Sequence, residues 1–170
     1  MISKKLNAVL SLIITFLLVD HTIACSIHMI QNDYSQSLPG PAWLLAVLVA
    51  VHALASLYFV FVRHDSKFIK YTAQNVRTIL QRDSGFLMVI AGIIHAFSAS
   101  TRENMILFCV SHLFVVLFSM LHTAVSVPNA LVTLGIVTSE RKHKIIFLLC
   151  AVVCALLFLL GAAGSVMGVN

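Results

Sequence analysis

Histidine is the residue type in this chain whose number and placement invite chemistry. Eight are present in 170 residues. Six of them, His21, His28, His52, His95, His112 and His122, fall inside long apolar runs, and only His64 and His143 lie in polar connections. Ionisable side chains in hydrocarbon are costly and mark function by default. A single one is covered by an interhelical hydrogen bond, but six are too many for that account. A neutral imidazole offers one nitrogen lone pair to a metal, and haem iron takes axial ligands from the protein. His21, His52, His95 and His122 lie on four different runs, which points to two bis-histidine b-type haems stacked across a membrane as an electron path. Structural zinc wants a closed tetrahedral set of cysteine and histidine, which these separated residues do not offer. A proton relay through the imidazoles is the competing chemistry.

The elements that must carry these residues are membrane spans. The chain is 60% hydrophobic and 10% charged, with a mean hydropathy of +1.01. A soluble domain averages roughly 45–50% apolar and about 25% charged, and a chain this short buries only about two-thirds of its surface. The composition therefore excludes an ordinary cytosolic domain, a disordered chain and a disulfide scaffold. A span needs ~20 apolar residues, and five candidates follow: 6–30, 42–63, 85–100, 104–127 and 144–168. The third is short, and Pro128 predicts a kink or boundary at the end of the fourth. The expected fold is an all-α bundle of five transmembrane helices forming a single domain over 1–170.

Loop charge sets the expected orientation. With the N-terminus cytoplasmic, Lys4, Lys5, Arg63, Lys67, Lys70, Arg77, Arg82, Arg141, Lys142 and Lys144 lie inside and only Arg102 outside. That bias obeys the positive-inside rule and puts the C-terminus outside. It also accounts for the net charge of +5 as topology, with no nucleic acid as partner. Residues 1–25 carry some features of a signal peptide, but Thr22 replaces the aliphatic residue of a lipoprotein signal, and Asp20 and His21 sit in the cleavage region. A retained first span is expected. Segment 63–84, with Phe68, Ile69, Val76, Ile79 and Leu80 among basic residues, reads as an amphipathic helix on the membrane surface, either a docking site for a soluble partner or a basic connection that merely obeys topology. Cys25, Cys109, Cys150 and Cys154 form no C-x-x-C motif and read as buried small hydrophobes, and Trp43 as an interfacial aromatic.

Spans one and three form a parallel echo. Each has a small residue ten positions before a histidine, Ser11 before His21 and Gly85 before His95. Ten helical residues rise about 15 Å, which places both imidazoles in the outer half of the bilayer. Spans two and four run the other way, with His52 and His122 central or inner. Two pairs at two depths follow.

The stretch Leu80-Gln81-Arg82-Asp83-Ser84-Gly85 followed by His95 resembles the small-residue-then-histidine signature of the membrane cytochrome b subunits of succinate:quinone oxidoreductases and quinol:fumarate reductases, in particular the five-helix di-haem type. The similarity extends over most of the chain: Lys5-Leu6 through Val19-Asp20-His21 in the first helix, Val51-His52-Ala53 leading to Arg63 in the second, and Leu121-His122 followed by Gly135 in the fourth. The resemblance implies that His21 and His95 hold the haem distal to soluble subunits and His52 and His122 the proximal one. It implies an iron–sulfur subunit and a flavoprotein subunit on the cytoplasmic side, a quinone as substrate, a location in the cell (inner) membrane, and a possible dimer of complexes. In that frame Ser84 and Gly85 let a macrocycle approach the backbone, and Arg77 or Arg82 meets the inner propionates.

The sequence departs from the family in two places. Met120 stands where some di-haem members carry a proton-conducting glutamate, and no glutamate matches the family's quinone site. Asp33 in the following loop, and Asp20 and His28 near the outer end of span one, are the candidate substitutes. His112 reads as a hydrogen-bonding partner across helices or to a propionate, and Met88, Met105, Met120 and Met167 as packing or lipid-facing residues. The alternatives are a haem-free membrane anchor and a histidine-based proton-relay or transport protein. The latter would more often show an inverted repeat with broken helices.

Overall fold

The computed structural model describes residues 3–31, 42–61, 72–101 and 104–169. Five helices run through them: α1 Lys4–Ile30, α2 Ala42–Phe61, α3 Thr72–Thr101, α4 Met105–Thr133 and α5 Glu140–Met167. Each contains a stretch long and apolar enough to cross a bilayer, and no strand occurs among the described residues. The chain is a multi-pass, all-α membrane protein. Backbone polar groups have no water to turn to in hydrocarbon, so helices that satisfy them internally are the natural solution for such a sequence.

Local chemistry sets the helix ends. Ser3, Asn104 and Ser139 are N-caps whose side-chain oxygens accept from the backbone N–H of Leu6, Leu107 and Lys142. Each satisfies one of the orphan donors at a helix start. The C-terminus of α4 is a Schellman turn. Gly135 has φ +79°, and the N–H groups of Ile136 and Gly135 donate to the carbonyls of Leu131 and Val132 at 3.0 Å each. Glycine adopts that left-handed conformation without a Cβ penalty, so Gly135 has a local structural reason to be where it is.

Two readings are corrected. Of the two expected at Pro128, a kink or a boundary, the boundary does not occur: α4 continues to Thr133 with Pro128 buried inside it. The helix absorbs the missing N–H because membrane helices tolerate proline where neighbours enclose it. Nor is segment 63–84 a separate surface helix over its described part. From Thr72 the backbone is continuous with α3, because nothing between Thr72 and Gly85 breaks a helix. Residues 62–71 lie outside the described part of the chain.

The hub of the bundle is α4, which packs closely on α3, α5 and α1; α1 also packs on α5 and α2. Small residues make this possible. Ser111, Ser119 and Ser126 on α4 are buried, and Ser119 returns its hydroxyl to the Val115 carbonyl at 2.6 Å. Side chains of this size let helices approach where lipid offers no hydrophobic drive for association. Among the described residues, α2 packs closely only on α1, and α1 and α3 do not pack closely on one another.

Candidate functional site

The histidines form two layers. The layer at the lysine-bearing start of α1 holds His52 of α2 and His122 of α4, whose imidazoles lie within range of direct electrostatic interaction. In the second layer, toward the end of α1, His21, His95 and His112 interact in the same way. The rings of His95 and His112 stand 5.4 Å apart. The layers are ten residues apart along α4, about 15 Å of helix rise. Between them lies an aliphatic core of Ile14, Leu18, Leu45, Val116, Met120 and Cys154. Met120 is 3% exposed and so packs in that core as a hydrophobe.

Hydrogen bonds orient the rings. His122 Nδ1 lies 2.8 Å from the Gln81 carbonyl oxygen. A carbonyl can only accept, so Nδ1 carries the proton and Nε2 of the neutral ring keeps its lone pair. His52 Nδ1 lies 3.0 Å from Asn7 Oδ1. His95 Nδ1 lies 3.4 Å from Ser111 Oγ, which is itself 3.0 Å from Ser98 Oγ; the ring also stacks on the Phe108 side chain with centroids 5.0 Å apart. Cys25 Sγ, one turn beyond His21, sits 3.5 Å from His21 Nε2.

Gly85 and Ser84 of α3 belong to the inner layer, but their neighbour is a histidine. A Cβ at Gly85 would lie 3.0 Å from both Cε1 and Nδ1 of His122, so the missing side chain makes room for that ring. Ser84 is buried, donates to the Leu80 carbonyl and stands 3.5 Å from His122 Nδ1. Sequence reading missed Gln81 as a site residue. Besides its carbonyl, its side-chain Oε1 accepts from Asn129 Nδ2 at 2.9 Å, tying α3 to α4 beside the histidine. Asn7 was missed too. Both are amide residues fourteen positions before an outer-layer histidine, a signal present in the sequence but without meaning until the partners are seen.

The remaining candidates are scattered. Arg82 and Asp20 are exposed. Arg77 reaches toward α5, with Nη1 3.4 Å from His143 Nδ1 and its guanidinium 5.0 Å above the Phe147 ring. Asp33 lies outside the described residues. His28 is half-buried near the end of α1, with Nδ1 buried and lacking a hydrogen-bond partner among the described residues.

The donor set fits haem better than a bare ion. No group of three or more His, Cys, Asp or Glu side chains among the described residues could hold a metal ion, whereas two imidazoles suffice for a haem iron. The buried Nε2 of His112, 2% exposed and beside His95, also lacks a partner among the described residues. A buried orphan of that kind costs about 1–3 kcal/mol, and a carboxylate such as a haem propionate would relieve it. Compared with protein-family models, curated proteins and solved structures, the chain matches none.

Proposed function

We propose that this chain is a membrane anchor that holds two b-type haems, one between His21 and His95 and the other between His52 and His122. It passes electrons between a membrane quinone and iron–sulfur and flavin subunits at its basic end, as in a fumarate reductase or succinate dehydrogenase. The observation that carries this reading is the arrangement of the four imidazoles: two pairs on four helices, in two layers with an aliphatic core between. Haem, when bound, supplies a one-electron couple. The chain's own residues do the rest. The Gln81 carbonyl holds Nδ1–H of His122 and leaves Nε2 for iron, as the partners of metal-bound histidines do. Ile14, Leu18, Val116 and Met120 line the space between the layers with apolar side chains. The same four residues count against a histidine proton relay, because they put apolar side chains between the two layers. His28, whose buried Nδ1 has no hydrogen-bond partner among the described residues, is better placed than the exposed Asp20 to offer a hydrogen bond to quinone at the outer end.

The test is a reduced-minus-oxidised visible spectrum of the purified chain with haem counted as its pyridine haemochrome. Two b-type haems per chain are expected, and one after His95→Ala. A chain purified without haem, or a His95→Ala variant retaining two, would overturn the assignment.

A further inference from the structure

Helices α1 and α3 share a register that their sequences only hint at. On α1, Asn7 precedes His21 by fourteen residues; on α3, Gln81 precedes His95 by the same fourteen. Each upstream residue presents an oxygen to the inner-layer histidine of the next helix in the chain. His52 Nδ1 lies 3.0 Å from Asn7 Oδ1, and His122 Nδ1 lies 2.8 Å from the Gln81 backbone oxygen. The α1–α2 and α3–α4 hairpins, each closely packed, are thus two copies of one device. Its first helix carries an oxygen acceptor and, about 21 Å further along by helix rise, an outer histidine. Its second helix carries the inner histidine that the acceptor meets.

We propose that Asn7 is a positioning residue whose side-chain oxygen fixes the Nδ1–H tautomer of His52, matching what the Gln81 carbonyl does for His122. The claim turns on which end of the amide faces the ring. The Gln81 carbonyl admits one answer, because it has no proton to give. An amide side chain admits two: were the Asn7 NH2 turned to the ring it would donate to Nδ1, put the proton on Nε2 and remove the lone pair needed for a metal. Facing Oδ1 to the ring gives both inner histidines the same tautomer, with both Nε2 lone pairs available. Asn7 itself is half-buried, so the bond is shielded from competing water.

This inference rests on the haem reading for its consequence but not for its test. In the full chain labelled with ¹⁵N-histidine, in lipid bilayers without haem, the nitrogen shifts report the tautomer directly, with His52 assigned by loss of its signals in His52→Gln. A protonated Nδ1 is expected in the wild type and in Asn7→Asp, which keeps an acceptor. The proton should shift to Nε2 in a large share of molecules in Asn7→Leu. In the haem-loaded chain an acceptor on Nδ1–H makes the imidazole a stronger donor to iron and favours the oxidised form. Asn7→Leu should therefore move one of the two couples about tenfold toward reduction, near 59 mV for one electron, and leave the other in place. Asn7→Asp should move the same couple the opposite way, which decides the matter even if the leucine variant does not insert. A wild-type His52 with a bare Nδ1, or two couples unmoved by either variant, overturns the proposal while leaving the haem assignment intact. A wild type that binds no haem overturns that assignment, and the nitrogen shifts still decide the tautomer.

Discussion

At the scale of single residues, the inner layer depends on one missing methyl group. Gly85 lies within a helix, where alanine would ordinarily be better by about 1 kcal/mol. At this position a Cβ would press on the His122 ring at 3.0 Å, and the ring's bond to Gln81 leaves it little room to give. Gly85→Ala should displace the ring and, under the proposed two-haem assignment, lower occupancy of the inner haem, read as a fall from two haems per chain toward one. Gly92, on the same helix, has nothing within 4 Å of where its Cβ would be. Gly92→Ala should keep both haems and raise stability by up to about 1 kcal/mol. Equal haem content in the two variants would show that the His122 ring does not need the space at Gly85.

At the scale of elements, α5 supplies none of the four candidate ligands and acts as a buttress. Its Gly161 faces Val116 of α4, and Gly164 meets the backbone of α1, where a Cβ would lie 2.9 Å from the Ser26 carbonyl oxygen. Backbone atoms cannot swing aside as a side chain can. Gly164→Val should therefore pry α5 from α1, at a cost of about 1–3 kcal/mol or more. Unfolding by detergent or denaturant titration in mixed micelles checks this, with Ala163→Val, exposed on the same helix, as the near-neutral control. Similar midpoints for both variants would mean that α5 is not seated on α1. The i,i+4 ion pair of Glu140 with Lys144 at the start of α5, 2.8 Å long and largely exposed, adds little.

For the whole molecule, the proposed function requires that one end of the bundle face the compartment where soluble redox partners work. Lys4, Lys5, Arg141, Lys142 and Lys144 collect at one end of the bundle, with Arg77 and Arg82 toward the same end of α3, and the positive-inside rule predicts that this end faces the cytoplasm. Topology can be read by cysteine labelling, in a background with Cys25, Cys109, Cys150 and Cys154 replaced. Both Ser100 and Thr138 are exposed, at opposite ends. A membrane-impermeant maleimide added to intact cells should label Ser100→Cys and spare Thr138→Cys. The reverse pattern would place the basic end outside and remove the proposed docking side.

Much of the architecture is determined by the sequence acting locally. Whether a segment crosses a membrane is an additive property of some twenty consecutive residues, so the existence of five spans, their order and the helices that carry His21, His52, His95 and His122 are legible without any structure. Depth along a helix is also legible, because rise per residue is constant; it separates the inner from the outer histidines. What tertiary structure alone decides is rotation about each helix axis, and with it which nitrogen of a ring is held and by what. That rotation is set by close packing at small residues such as Ser26, Gly161 and Gly164, whose partners lie far away in sequence. It makes Gln81 and Asn7 acceptors for histidines on other helices and turns Gly85 into space for the His122 ring. Gly135 shows the converse: a glycine noted for its distance from His122 closes α4, because a left-handed turn there favours a residue with no Cβ.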